Sequence, residues 1–353
     1  MSGTYFRRVR TTTPTRLWIN NPSSVEIGLA MAEGAVGCTT NPTFAGNRLR
    51  REPDDTRAVV GAALTAIPDA DDEAVANLVQ QQLVARVAER FLPLHERSEG
   101  LEGYVSIQGS PLSDDDGVRI LEEAQSARAI GPNVTPKIPA TLPGLEAFEA
   151  LVEAGSPTIV TEVFSLAQLA EANERYLRVA ARTGHRPPFF VSPITGIFGD
   201  HLRARAESDG LSMDEGTLRL AGVALARRCN DLVEERGYPS VLLFGGARIV
   251  EDFTGLVGAA TAATINYSTV AEILALEPQV EDSIHQPMPS AVIDALAGGF
   301  EDFRRAWMPD GLRPAEFEAF GPVQHFRANF VAGWRSVLDS IAEARATMRV
   351  GAR

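Results

Sequence analysis

Lysine is nearly absent from this chain of 353 residues. Of its 33 basic residues, 32 are arginine, and Lys137 is the single lysine. Lysine is normally among the commonest residues, so arginine fills almost every role that needs only a fixed positive charge. Arginine stays protonated in proteins and cannot act as an amine nucleophile. The one retained lysine is therefore a candidate for covalent chemistry with a carbonyl group, which requires a free amine.

Cysteine and histidine are also scarce, and neither is arranged for metal binding. Cys38 and Cys229 stand far apart in the sequence, which argues against a disulfide framework and favours a reducing, cytoplasmic location. The five histidines are scattered, and no two of them stand at the spacing of metal ligands. We therefore predict no metal site and no cofactor.

Long apolar runs and an excess of positive charge are missing as well. No segment approaches the run of about 18 apolar residues that a membrane span needs, so we expect no membrane association. The formal net charge of −13 argues against nucleic acid as a partner, because binding to nucleic acid requires a basic surface. The sequence leaves a monomer and a homodimer equally open.

The first residues of the chain are predicted to form a separate region. Residues 1–16 are rich in threonine and arginine and lack the apolar segment of a secretory signal. We predict a flexible arm over residues 1–15, because chain termini are often poorly ordered. Residues 16–353 contain no repeat or obvious linker and are predicted to form one domain.

Strand-like and helix-like segments alternate over about 250 residues. Several of the strands are continuous apolar runs, which is typical of parallel strands covered on both faces. Eight such strands separated by helices predict a (β/α)8 TIM barrel, an α/β fold. A doubly wound open sheet is the alternative, but no Gly-x-Gly-x-x-Gly turn follows an early strand. The predicted strands are Leu17–Asn20, Ala35–Thr40, Tyr104–Gln108, Val134–Ile138, Thr158–Val163, Phe189–Pro193, Val241–Phe244 and Ala263–Tyr267.

Residues after about 270 are predicted to be additional C-terminal helices. The last, near Phe326–Met348, is long and amphipathic, and we expect it to cover one end of the barrel. Its apolar side chains recur on one face and are most simply explained by core packing. These side chains are Phe330, Trp334, Leu338 and Ile341.

Chemistry in a TIM barrel takes place at the C-terminal ends of the strands. The residues at the predicted strand ends are mostly amides and hydroxyls around one amine, and the apolar strand around Lys137 should lower the pKa of that amine. The sequence therefore predicts an amine-centred site that binds a carbonyl compound. The strand-end residues are Asn20, Asn41, Gln108, Lys137, Thr161, Ser192, Arg248 and Tyr267.

Motifs on these strands resemble those of the transaldolase family. The resemblance covers most of the chain, from about residue 16 to the C-terminal helix, and the motifs come in the family's order. The matching segments are Thr39-Thr-Asn-Pro-Thr43, Lys137-Ile-Pro-Ala-Thr141, Thr161-Glu-Val-Phe-Ser165 and Ser192-Pro-Ile-Thr-Gly196, followed by Gly246-Ala-Arg248.

This resemblance implies a role for each matching residue. Lys137 would form a Schiff base with a ketose phosphate or another small carbonyl substrate, and the iminium ion would serve as the electron sink for C–C cleavage. Asn41, with Thr40 beside it, would bind substrate hydroxyls, and Thr161 would help to place a water molecule. Ser192 would line the site, and Arg248 would bind a phosphate group.

The chain departs from the family pattern at four site positions. Asn20 stands where the resemblance implies a catalytic Asp, and Gln108 stands where it implies a Glu. Both amides keep the shape of the carboxylates but cannot carry a proton between steps. Ile159 replaces an Asn of the fifth strand, and Ile197 replaces a second phosphate-binding Arg. These two apolar residues predict a less polar or less phosphorylated substrate.

Three functions remain open from the sequence. The first is a divergent Schiff-base enzyme that cleaves, forms or transfers C–C bonds, and the second is a transaldolase with relocated acid/base groups. The third is a silent scaffold or carbonyl-metabolite binder. Replacement acid/base candidates are Tyr267, His201, Asp200 and Glu162. Strand alternation places Glu162 on the opposite face from Thr161, so it is expected to pair with a surrounding helix.

Overall fold

The computed structural model describes residues 3–351, and within that range eight parallel strands close into a barrel in chain order. Each strand pairs in parallel with the next, and β8 pairs with β1. The predicted TIM barrel is confirmed. The strands are β1 (Arg16–Asn20), β2 (Gly37–Thr39), β3 (Val105–Gln108), β4 (Val134–Pro139), β5 (Thr158–Val163), β6 (Phe189–Pro193), β7 (Val241–Phe244) and β8 (Ala262–Ile265).

Helices connect the strands and surround the barrel. Many begin at a capping side chain, as at Ser23, where a reciprocal capping box with Glu26 starts the helix after β1. Up to β6 they are α1 (Tyr5–Thr12), α2 (Ser24–Ala32), α3 (Phe44–Arg51), α4 (Pro53–Ala66), α5 (Asp72–Arg97), α6 (Gly117–Arg128), α7 (Leu142–Glu153) and α8 (Leu166–Thr183). The later ones are α9 (Gly196–Asp209), α10 (Glu215–Arg236), α11 (Glu251–Thr254), α12 (Tyr267–Leu276), α13 (Ser290–Gly299), α14 (Glu301–Trp307) and α15 (Gly321–Gly351).

The lower part of the barrel interior is filled by an apolar cluster that includes Trp18, Tyr104, Ile159 and Phe190. The Trp18 and Tyr104 rings meet Phe190 edge-on at centroid distances of 5.6 and 5.8 Å. A Cβ at Gly37 would lie 2.5 Å from the Trp18 indole, so only glycine lets β2 pass this ring. This apolar layer fills the interior toward the N-terminal ends of the strands.

The predicted flexible arm is wrong for the residues that the structure describes. Residues 5–12 form α1, whose Tyr5, Phe6 and Val9 are buried. The Phe6 ring packs edge-on against Phe253 at a centroid distance of 5.0 Å. The free energy gained by burying two aromatic rings holds this segment in place despite its high content of threonine and arginine. Residues 1 and 2 of the predicted arm, and residues 352–353 of the predicted domain, lie outside the described residues; the single-domain assignment stays a prediction.

The C-terminal helix α15 lies across the end of the barrel where the strands terminate. Trp334, Phe330 and Ile341 are buried, as the sequence predicts. The helix packs closely against the start of α3. A Cβ at Gly333 of α15 would lie 2.7 Å from Cγ2 of Thr43, the residue before α3. No helix among the described residues combines the length and apolar character needed to cross a bilayer.

Candidate active site

A cavity of about 190 Å³ opens at the C-terminal ends of the strands. Six strands, or the loops that follow them, contribute mainly amide and hydroxyl groups, and helix α15 supplies the remaining wall. The cavity therefore has a polar, hydrogen-bonding lining with one amine. Its lining includes Asn20, Asn21, Thr39, Asn41, Lys137, Ser192, Ile197, Arg248, Thr264, Asn266, Phe326, Asn329 and Phe330.

Lys137 reaches this cavity from β4. It is 6 % exposed, and it pairs across the sheet with Ile159 of the apolar cluster. Burial lowers the pKa of its amine to about 8, and the negative charge of Glu162 partly offsets this effect. Ile159 belongs to the cluster beneath the amine rather than to the lining of the cavity. The predicted substrate-binding role of Ile159 is therefore not supported by its position.

Asn20 ends β1 within a chain of neutral hydrogen bonds. Its Nδ2 donates to Asn266 Oδ1 (2.9 Å), and its Oδ1 accepts from Thr39 Oγ1 (3.0 Å). The Thr39 hydroxyl also lies 2.7 Å from that of Thr264. These side chains have no ionisable group near neutral pH, so they can donate and accept hydrogen bonds but cannot exchange protons.

Asn41 is held by three donors at its Oδ1. These are Asn21 Nδ2 (3.0 Å), Thr43 Oγ1 (2.7 Å) and the Thr43 backbone N–H (3.0 Å). Thr40, which the sequence places beside Asn41 as a binding residue, donates its hydroxyl to the Ser106 carbonyl instead (2.7 Å). In this segment Thr39, and not Thr40, lines the cavity. The predicted binding role of Thr40 is therefore not supported by its position.

Ser192, Ile197 and Arg248 line the far side of the cavity, as the sequence predicts. Arg248 Nε donates to Asp200 Oδ2 at 3.0 Å, and Asp252 Oδ2 accepts from the Arg248 backbone N–H at 2.7 Å. Arg248 is thus fixed in place, but part of its charge is already neutralised by Asp200. Ile197, which lines the cavity together with Arg248, is buried and apolar.

Glu162 faces the barrel interior, contrary to the expectation from strand alternation. Val160 pairs with Val191 whereas Val163 pairs with Pro193, so β5 has one residue more than β6 over this interval. The φ of Glu162 is 61°. Such a β-bulge shifts the alternation of side chains by one residue. As a result, Gln108 Nε2 donates to Glu162 Oε1 at 2.9 Å.

The Glu162 carboxyl is fully buried. Burial raises its pKa to about 7, against the opposing effects of Lys137, the Gln108 hydrogen bond and Arg327. Thr161 is also buried, and its Oγ1 has no hydrogen-bond partner among the described residues. The structure places Gln108 beside Lys137 in the sheet register, and it places Glu162 on the opposite face from the one expected.

Several residues near the site were not among the sequence candidates. Asn266 follows β8 directly, and it was missed because the predicted strand ran on to Tyr267, which instead begins α12. Asp114 and Arg327 lie 3.6 Å apart behind Glu162, and burial raises the pKa of Asp114 well above its usual range. Nothing in the local sequence pattern connects Arg327 of α15 with the loop after β3.

The same side chains bear on metal binding. Within residues 3–351, no group of three or more His, Cys, Asp or Glu side chains is arranged to hold a metal ion. The polar groups at the strand ends are mainly amides and hydroxyls around one amine. Their chemistry suits hydrogen bonding to a polyhydroxylated compound.

The fold and the site together define a class: TIM-barrel proteins with a lysine buried in the C-terminal half of β4. Comparison with known families then identifies the particular one: residues 17–308 match the transaldolase/fructose-6-phosphate aldolase family, and the chain belongs to it.

Individual relatives are distant. A transaldolase of Renibacterium salmoninarum is 28% identical over 338 residues, which cover 88% of this chain and 87% of that protein. A transaldolase of Thermobifida fusca is 25% identical over 89% of this chain and 90% of that protein. The similarity to a transaldolase of Thiobacillus denitrificans is 30% but covers only 46% of each.

Proposed function

We propose that this protein is a lysine Schiff-base enzyme that makes or breaks a C–C bond next to a carbonyl group. The observation that carries the proposal is the position of the only lysine, buried at the C-terminal end of β4 and facing a polar cavity. With a pKa of about 8, roughly a tenth of the amine is unprotonated at pH 7. An ordinary lysine would have only a trace of free amine at this pH.

The reaction begins with attack of the Lys137 amine on the substrate carbonyl carbon. Loss of water from the resulting carbinolamine gives an iminium ion. This ion draws in the electron pair of the bond between the α and β carbons. The β-hydroxyl gives up its proton, the departing fragment leaves as an aldehyde, and an enamine remains on Lys137. The enamine then takes up a proton or attacks an aldehyde, and hydrolysis of the resulting iminium ion releases the product and the free amine. Asn20, Asn41 and Asn266 would hold the substrate hydroxyls during these steps.

The lining of the cavity supports a polyhydroxylated substrate that carries at most one phosphate group. Amides and hydroxyls dominate the lining, and the apolar Ile197 stands beside Arg248. Because Asp200 already pairs with Arg248, this single guanidinium offers less to a phosphate than a free one would. The natural substrate is thus proposed to be a sugar or sugar phosphate with a reactive carbonyl.

Reductive trapping tests the proposal. The protein is incubated separately with dihydroxyacetone, fructose 6-phosphate and a panel of aldehydes, then treated with borohydride and digested. We expect a mass increase on the peptide that contains Lys137. Lys137→Met removes the amine while keeping an apolar chain of similar length, and it should abolish the adduct. Absence of any adduct on Lys137 would contradict the proposal and favour a silent scaffold.

A second measurement separates two enzymatic outcomes. Fructose 6-phosphate is supplied together with erythrose 4-phosphate, and the products are analysed for three-carbon transfer. An adduct without transfer indicates a divergent enzyme with another acceptor or substrate. Transfer that depends on Lys137 indicates a transaldolase, the activity named for the relatives in the comparison.

A further inference from the structure

The conformation of Glu162 is stabilised by one glutamine. Gln168 Nε2 donates to the Glu162 carbonyl and to the Ala140 carbonyl, both at 3.0 Å, while its Oε1 accepts from the Phe164 backbone N–H at 2.9 Å. A residue other than glycine rarely adopts a positive φ, and such a conformation persists only where its surroundings fix it. Gln168 provides this fixation, and it connects the bulge to the loop that follows β4.

One oxygen of the Glu162 carboxyl has no hydrogen-bond partner among the described residues. Oε1 accepts the hydrogen bond from Gln108, whereas Oε2 is buried and has no hydrogen-bond partner among the described residues. A buried oxygen without a partner is costly in a folded protein. This unpartnered oxygen belongs to a carboxyl whose pKa is influenced by Lys137, so it is a candidate for proton transfer at the amine.

The charged groups around Glu162 are few. Lys137 lies close enough for the two groups to shift each other's pKa, and Arg327 and Asp114 lie behind the carboxyl. In the part of the chain that the structure describes, Lys137 forms no ion pair of 4.0 Å or less. The amine and the carboxyl therefore influence each other's pKa without forming a salt bridge.

We propose that Glu162 supplies the proton that leaves with the water when Lys137 condenses with a carbonyl compound. This inference rests on the proposed function. The amine adds to the carbonyl to give a neutral carbinolamine, R–NH–C(OH). The protonated Glu162 carboxyl then transfers its proton to the hydroxyl, the C–O bond breaks, and the nitrogen lone pair forms the C=N bond. The products are the iminium ion, water and the Glu162 carboxylate.

Hydrolysis runs the same steps in reverse. The Glu162 carboxylate takes a proton from the water that attacks the iminium carbon, and the carboxyl is restored for the next turnover. The neutral Gln108 cannot perform either step, but its hydrogen bond orients the carboxyl that does. In this arrangement Glu162 is a catalytic residue and Gln108 is a positioning residue.

The test measures the rate at which Lys137 reacts with 2,4-pentanedione, whose condensation with an amine gives a UV-absorbing enaminone. In Glu162→Gln the rate at pH 7 should fall by roughly 10²–10⁴-fold, as expected for loss of a general acid. If Glu162 acted only through its negative charge, the substitution would change the rate in the opposite direction. Removing the negative charge lowers the pKa of Lys137 further, so more free amine would make the variant faster. A rate equal to or above that of the unmodified protein overturns the inference.

A matched control is available on α6. Burial also raises the pKa of the Glu123 carboxyl, but its two oxygens accept hydrogen bonds from Asn77 and from the Ser110 backbone N–H. Glu123→Gln should leave the rate unchanged. Thermal unfolding of all variants verifies that they are folded.

The pH profile of the unmodified protein provides an independent measurement if Glu162→Gln does not fold. Free amine increases and protonated carboxyl decreases with pH, so the rate should pass through a maximum between about 7 and 8. A rate that rises steadily through this range contradicts the role of Glu162. No enaminone on Lys137 at any pH would instead contradict the proposed function itself.

Discussion

Lys137 and Glu162 form a buried acid–base pair whose protonation depends on burial more than on their mutual attraction. Burial is the largest influence on both pKa values, and it acts in opposite directions on the amine and the carboxyl. Both groups are consequently driven toward their neutral forms near pH 7. A neutral amine and a protonated carboxyl are the forms that Schiff-base formation uses.

The raised pKa of Glu162 predicts a pH-dependent contribution to stability. The folded protein retains the Glu162 proton up to about pH 7, whereas the unfolded chain releases it near 4.5. The stability contributed by this group is therefore present below pH 4.5 and is lost as pH rises to about 7. The free energy of unfolding, measured by urea denaturation, should fall relative to that of Glu162→Gln between pH 5 and 7.5. A constant difference would contradict the buried placement of the carboxyl.

We expect Ile197 and Arg248, which both line the cavity, to determine how strongly phosphate binds there. Ile197→Arg should place a second cation beside Arg248 and raise the affinity for inorganic phosphate by roughly tenfold, the effect of one additional charge-assisted hydrogen bond. Arg248→Gln should lower that affinity. Calorimetric titration with phosphate provides the measurement, and unchanged affinity in both variants would show that phosphate does not bind here.

Among the structural elements, β5 shows the limit of inference from sequence. Its range, Thr158–Val163, is as predicted, because β-branched and apolar residues define it clearly. The face of Glu162 could not be predicted, because a bulge inserts one residue and reverses every alternation argument beyond it. Gln168, which follows the strand, donates to the Glu162 and Ala140 carbonyls, and these hydrogen bonds leave no periodic signal in the strand.

Tight packing of α15 against Thr43, the residue before α3, supports the conformation of Asn41 at the cavity. Thr43 donates twice to Asn41, and it lies directly against Gly333 of α15. Gly333→Ala would place a methyl group 2.7 Å from Thr43 Cγ2. We expect the helix and Thr43 to separate, with a loss of stability of about 1–3 kcal/mol and slower trapping on Lys137.

Gly61 offers the matched comparison for Gly333. It lies within α4, and a Cβ there would meet nothing within 4 Å. Gly61→Ala should increase the free energy of unfolding by about 0.5–1 kcal/mol, because alanine favours the helix. Urea denaturation measures both variants, and equal stabilisation by the two alanines would refute the packing argument.

At the scale of the whole molecule, the barrel and the family were predictable from sequence. Of the two terminal helices that pack on the barrel, only one was predictable. Strand order and the position of Lys137 follow from alternating apolar segments and from motifs on several strands. Helix α15 was anticipated from its amphipathic pattern. Helix α1 was not, because Tyr5, Phe6 and Val9 are too few to indicate a buried helix in a segment rich in threonine and arginine.

The burial of α1 predicts that the N-terminal segment contributes to global stability. Phe6→Ala should cost about 3–5 kcal/mol, as for other buried phenylalanines, because Phe6 packs against Phe253. Thr11→Ala, at an exposed position of the same helix, should change stability by less than about 0.5 kcal/mol. If urea denaturation gave equal, small changes in the free energy of unfolding for both variants, packing of α1 would contribute little to global stability.

The most direct test of the account is the pH dependence of borohydride trapping at Lys137 with dihydroxyacetone. Because the chain has one lysine, only the N-terminal amine competes, and peptide mass analysis separates the two sites. We predict an adduct on Lys137 that forms readily at neutral pH, as expected for an amine with a pKa of about 8, and no adduct in Lys137→Met. An adduct confined to the N-terminal amine, or one on Lys137 that requires a pH near 10.5, would contradict the account.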